Sequence, residues 1–344
     1  MDSSSSAFDI PFDKLPNPKQ VWVGKPGSNE EGLGKLALLT PEVVANAAKE
    51  IKTGRRVTLG WEMTKLELAN LNRHPCQHHI ISLLNGVAFD DVYVFNPRTY
   101  HLSPHPYVFS SPVAFCRIEG LKTDEFKEQS SQWDGLRHFS QKIPATDDKP
   151  AHRVFYGGTT AAEILDRSTD RIGMQHWARA GITGRGVLID YASWAEKHGI
   201  EYTTFSTHQI RLGDIIEIAK ECDITFQKGD MLFIRIGVTH EWDNVMTDQQ
   251  KREYSLHPAP EHAGVEATID MLRWIWDCKF SAVAGDAISW EVSSSISHVP
   301  FSLLTREVNL CEEEKLKSVL GISSTGSGAV SARIPARWLG HANR

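Results

Sequence analysis

The densest grouping of polar side chains in this chain is Glu128-Gln129-Ser130-Ser131-Gln132-Trp133-Asp134-Gly135-Leu136-Arg137-His138-Phe139. Read as a strand or extended loop it has a period of two, which puts Glu128, Ser130, Gln132, Asp134, Leu136 and His138 on one side. A carboxylate with an imidazole four residues on is the minimum kit for holding a hard or borderline cation and moving a proton beside it. In such a kit the carboxylate would be that of Asp134 and the proton carrier His138, whose ordinary pKa lies near about 6.5. Pattern alone does not separate this reading from an ordinary polar surface loop.

Other residues are weaker candidates. Tyr156, in Phe155-Tyr156-Gly157-Gly158, sits in a glycine-flanked loop suited to close ligand approach, with a plain turn tyrosine as the rival reading. His176 beside Trp177 either faces a pocket or packs a helix. Asp286, after a buried strand, is either a ligand contact at a strand's carboxyl end or a helix cap. The His-Pro-Cys-Gln-His-His run at 74–79 fits no zinc-finger or ribbon spacing. There is no Gly-x-Ser-x-Gly elbow for a serine nucleophile, and Gly32-x-Gly34 lacks the third glycine of a dinucleotide fingerprint. The five cysteines are scattered without a Cys-x-x-Cys pair, which favours reduced thiols, and Cys278 lies in the apolar run 274–280 as a core residue.

The elements that position these residues are legible from periodicity and punctuation. Gly186 to Tyr191, Met231 to Gly237 and Phe280 to Asp286 are apolar runs bounded by turn residues, as expected of central strands covered on both faces. Helical spacing marks 173–181, 212–222 and 264–278 between them, and Thr40-Pro41-Glu42 starts a further helix over 41–52. Alternating strands and helices predict an α/β domain. The stretch 57–117, interrupted by prolines, reads as strands and loops. Residues 1–29 read as a loose N-terminal arm with one short strand at Val21–Val23, 30–320 as the domain, and 321–344 as an irregular or mobile tail.

The formal net charge of −6 gives no electrostatic reason to expect nucleic acid or an anionic membrane as partner. The Ser-rich start lacks the basic and apolar regions of a secretory signal, and no stretch approaches the roughly 18 apolar residues of a membrane span. A cytoplasmic protein acting on a small molecule is the expectation.

The string Gln132-Trp133-Asp134-Gly135-Leu136-Arg137-His138-Phe139 is followed by Gly173-Met174-Gln175-His176-Trp177, by Gly181-Ile182-Thr183-Gly184-Arg185-Gly186 leading into Val187-Leu188-Ile189-Asp190, and by Ala282-Val283-Ala284-Gly285-Asp286. Together with Gly34-Lys35-Leu36-Ala37-Leu38-Leu39-Thr40-Pro41-Glu42, this series resembles the fungal branch of the cyclase family that includes kynurenine formamidase and isatin hydrolase. The resemblance runs in order from about 32 to 298.

That resemblance implies a swivelling β/β/α fold, a homodimer, and hydrolysis of amides or opening of small rings with zinc or manganese. Its usual motif, His-x-x-x-His-x-Asp-x-x-x-His, falls on Glu128, Gln132, Asp134 and His138. The acid and the proton shuttle are kept and both ligand histidines are replaced. An oxygen-dominated set favours manganese or magnesium over zinc, and is equally compatible with no metal at all. His298 falls where the family has a further ligand histidine, and Glu307 is the nearest match to its glutamate, with the spacing shortened. Trp61 falls where the family presents an aromatic to substrate, and Trp133, Tyr156 and His176 complete the expected substrate-binding set.

The function so implied is hydrolysis of an amide, lactone or related carbonyl of a small aromatic or secondary metabolite. Metal-free cyclisation, isomerisation or dehydration on the same fold is the alternative, and a non-catalytic binding protein is the third.

Overall fold

The computed structural model describes residues 7–18, 20–62, 65, 77–83, 88–94, 133–138, 140–146, 149–257 and 260–293. Nine strands are present among them: β1 (Gln77–Leu83), β2 (Ala88–Val94), β3 (Gln141–Ile143), β4 (His152–Val154), β5 (Gly186–Asp190), β6 (Gln209–Ile210), β7 (Met231–Arg235), β8 (Gly264–Val265) and β9 (Ala282–Gly285). The helices are α1 (Asn29–Leu33), α2 (Pro41–Ala47), α3 (Ala161–Leu165), α4 (Gln175–Ala180), α5 (Tyr191–Lys197), α6 (Leu212–Glu221), α7 (Val238–Asn244), α8 (Asp248–Leu256) and α9 (Ile269–Asp277). Short 3-10 turns join several of them.

The centre is a parallel three-stranded sheet ordered β5-β7-β9, with Leu188 beside Phe233 and Phe233 beside Ala284. These are the three apolar runs that the sequence marks as covered strands. Ile189, Leu232 and Ile234 are at most 1% exposed, because α5, α6 and α9 close over the sheet with Trp194, Ile215, Ile218, Leu272, Ile275 and Trp276. The fold is α/β, as expected. Two further pairings, the antiparallel β3-β4 and the parallel β6-β8, are separate two-stranded sheets, and β1-β2 form an antiparallel hairpin.

The helix starts follow the sequence closely. Thr40 accepts a hydrogen bond from the backbone N–H of Val43 with Pro41 at the first helical position, and Thr268 caps α9 through Met271 N–H. The expected helix over 41–52 is α2 continued by a 3-10 turn to Glu50, and 264–278 divides into strand β8 and helix α9, with Thr268 marking the boundary.

The N-terminal segment differs from the loose arm expected. Phe8, Phe12, Leu15, Val21 and Val23 are buried in the main core, and Val21–Val23 forms no strand. Trp276 Nε1–H donates to the carbonyl of Ile10 at 2.8 Å and Phe12 N–H to Asp277 Oδ1 at 2.9 Å, so the chain's own helix α9 is the surface this segment wraps. Its irregular spacing hides the apolar anchors from a periodicity search. The tail at 321–344 lies outside the described residues. No helix among the described residues is long and apolar enough to cross a membrane.

Candidate active site

Asp134 and His138 sit on a turn rather than on an extended strand: the backbone N–H of His138 donates to the carbonyl of Gly135 at 2.9 Å. The turn still brings the two side chains together, with His138 Nδ1 3.5 Å from Asp134 Oδ1. The extended reading is therefore corrected in its geometry, while the pair it singled out shares one side. The Asp134 side chain is 5% exposed and that of His138 is 50% exposed. A buried carboxylate behind an accessible imidazole can orient the ring and stabilise its charged form, leaving the ring edge to exchange protons with a bound molecule.

The turn is fastened to a platform made by residues 171–177, the first turn after α1, and Tyr156. Leu136 is buried with Leu36, Tyr156, Ile172 and Trp177 in a second apolar cluster. Gly135 lies close under the Met174 side chain, where an added Cβ would be 2.6 Å from the sulfur and would have to displace it. Arg137 donates to the carbonyl of Arg171 through both Nε (3.1 Å) and Nη2 (2.7 Å). Trp133 is exposed and packs edge-on to Trp177 at 6.0 Å between ring centroids, forming an aromatic wall next to Asp134.

Within this platform both Tyr156 and His176 are held by protein partners. The Tyr156 hydroxyl accepts the backbone N–H of Val23 at 3.0 Å, and burial holds its phenol well above the ordinary range. His176 is buried with Nδ1 3.0 Å from Asn29 Oδ1 and Nε2 3.0 Å from the Asp170 carbonyl. To contact a substrate through a ring nitrogen, it would have to give up one of these partners. Trp61 is tied to α7 by its Nε1–H, which donates to Asp243 Oδ2 at 3.1 Å, and Lys65 faces the same carboxylate at 3.4 Å.

Glu128, Gln132, His298 and Glu307 lie outside the described residues. Among the described residues no group of three or more His, Cys, Asp and Glu is placed to hold a metal ion. Of the expected donor set the described residues thus contribute Asp134, a buried carboxylate of the kind a hard divalent ion takes.

The remaining candidates take structural places. Asp286 accepts the backbone N–H groups of Ile236 (2.5 Å) and Gly237 (2.8 Å), joining the end of β9 to the start of α7, and burial raises its carboxyl above the usual range. His78 pairs with Asp91 across the β1-β2 hairpin at 2.6 Å. Burial pushes the Cys278 thiol up to about 11, the opposite of what a nucleophile needs. Sequence reasoning missed Arg137 and Arg171. Their part in the site runs through a backbone carbonyl, which leaves no signature in residue type.

A search of curated proteins found no match. Among solved structures, the chain is similar to a crystal structure titled as that of a novel cyclase, at 20% identity and a TM-score of 0.53 over 79% of each chain, a likeness that speaks to the fold. The sequence model of the family described as "Putative cyclase" matches residues 90–292, which include the Asp134–His138 turn and the whole central sheet. The chain belongs to the cyclase family.

Proposed function

We propose that this cyclase-family chain is a hydrolase acting on an amide, lactone or related carbonyl of a small organic molecule, of aromatic or secondary metabolism. The observation that carries the reading is the pairing of a buried Asp134 carboxylate with the half-exposed His138 imidazole 3.5 Å away, inside the region that matches the family. Asp134 orients the ring. His138 accepts a proton from the attacking water and returns it to the departing nitrogen or oxygen. Trp133 supplies an apolar face against which a flat substrate can lie. A divalent ion, manganese or zinc, held by Asp134 with Gln132, Glu128, His298 and Glu307, would lower the pKa of water and polarise the carbonyl. The chain is further proposed to work as a cytoplasmic homodimer.

Metal-free acid/base chemistry, a cyclisation, isomerisation or dehydration, is the second reading. Gln132 favours it, since it stands where a ligand histidine is expected and offers only a weak amide oxygen.

Metal analysis by plasma mass spectrometry on full-length protein purified without chelator, next to Asp134→Asn, separates the two. Near-stoichiometric manganese or zinc that is lost in the variant, together with hydrolysis of N-formyl anilides or aryl lactones, supports the hydrolase. Protein without metal and without hydrolysis sinks it and leaves the acid/base reading.

A further inference from the structure

The residue that follows Arg171 is strained. Ile172 has φ 49°, in the left-handed region that β-branched side chains avoid, and it is 2% exposed. Strain of this kind persists only where the surroundings over-determine it, and it concentrates at functional sites. Here the surroundings can be named. The Ile172 side chain packs with Leu136, Tyr156 and Trp177. The φ of Ile172 helps set the plane of the peptide that carries the Arg171 carbonyl, and that carbonyl is the one Arg137 grips with two N–H donors. The Arg171 side chain fixes the same residue from the other end: its guanidinium reaches Glu31 on α1 (Nη2–Oε1, 3.1 Å), the Gly157 carbonyl (2.7 Å) and Glu163.

We propose that Arg137 is the positioning residue of the Asp134–His138 site, its guanidinium clamping the turn onto the Arg171 carbonyl so that His138 faces Asp134. The inference rests on the reading of that pair as the working site. Leu136 alone would seat the turn without fixing its rotation, since apolar contact is non-directional. A planar fork on one carbonyl oxygen defines a direction. Arg137 lies between the two functional residues, so any rotation it permits changes the separation of His138 from Asp134.

The test uses the full-length chain with Arg137→Ala, and with Arg137→Met, which keeps the packing stem, should the alanine variant fail to fold. Two-bond nitrogen–proton spectra of the histidine rings, with His138 assigned by its disappearance in His138→Ala, report ring placement without needing turnover. Removing the fork is expected to move the His138 cross-peaks while those of buried His176 stay, and Arg137→Lys, which returns one donor, should bring them part of the way back. Turnover of whichever amide or lactone the wild type cleaves should fall about 100-fold in kcat with KM nearly unchanged, as displacement of a catalytic group by about 1 Å would produce. His138 cross-peaks left in place in folded Arg137→Ala or Arg137→Met would overturn the clamp. A wild type that hydrolyses nothing would count against the proposed function, while the cross-peaks would still decide the clamp.

Discussion

The carboxylate of Asp134 is almost wholly buried, and the imidazole of His138 that faces it across 3.5 Å is half exposed. This asymmetry divides the work: one group is fixed by the protein and the other is offered to solvent. Asp134→Asn keeps the shape and removes the charge, and His138→Ala removes the proton carrier. Each is expected to reduce turnover by at least about 100-fold, the contribution of a positioned acid or base. His138→Ala should leave the melting temperature within a few degrees of wild type, because half of the side chain was already in water. Wild-type rates in either purified variant would remove the pair from the mechanism.

His176 and Gly32 are in closer contact than any side chain at position 32 would permit. A Cβ on Gly32 would lie 2.3 Å from His176 Cγ, and Trp177 Nε1–H donates to the Gly32 carbonyl at 2.9 Å. Gly32→Ala must therefore push the imidazole off Asn29 and Asp170, an overpacking cost of about 1–3 kcal/mol. Denaturant unfolding of the variant measures it. No loss of stability would mean that the ring can move aside, and would reopen a mobile, ligand-facing role for His176.

The docked N-terminal segment predicts a stability effect in the main core, an apolar cluster separate from the one that holds Leu136. Phe12 is 3% exposed, lies under the guanidinium of Arg273 and anchors the segment to α9. Phe12→Ala should cost about 3 kcal/mol, typical of a large-to-small change in a packed core. A loose arm would lose nothing in the same urea titration.

Much of this was legible in the sequence, and the exceptions have physical reasons. β5, β7 and β9 announced themselves because strands covered on both faces are continuously apolar. Thr40-Pro41 announced α2 because capping chemistry is local. Asp134 and His138 were paired through an assumed extended backbone, whereas a turn closed by Gly135 and His138 brings them together. The spacing of the pair is compatible with both geometries, so residue types could not choose between them. Phe8, Phe12, Leu15, Val21 and Val23 were hidden by their irregular spacing among serines and prolines. Ile172 gave no sign of its left-handed backbone, which is imposed by tertiary packing against the preference of its own side chain.

Lys35 supplies a prediction in which the sign of a pH effect decides the outcome. Its Nζ is buried with no hydrogen-bond partner among the described residues, and lies 4.7 Å from the centre of the Trp276 ring. Desolvation pushes the amine from its ordinary 10.5 down to about 7, although the nearby Cys278 and Asp277 oppose the shift. The face of Trp276 also favours the charged form. Burial still dominates, because one ring and one partly screened carboxylate do not replace the water around an ammonium. A folded pKa below the unfolded one means that the unfolded chain binds more protons between about 7 and 10.5, so stability rises with pH across that window. Lys35→Met retains the stem and removes the charge. It should therefore stabilise the protein by about 1–4 kcal/mol at pH 7, the range seen when buried charged groups are replaced by apolar ones, and by much less near pH 10. Urea unfolding at both pH values measures the difference. An equal gain at the two pH values would show that the methionine acts through packing alone, and a loss at pH 7 would show that the Trp276 contact outweighs the cost of burying the amine.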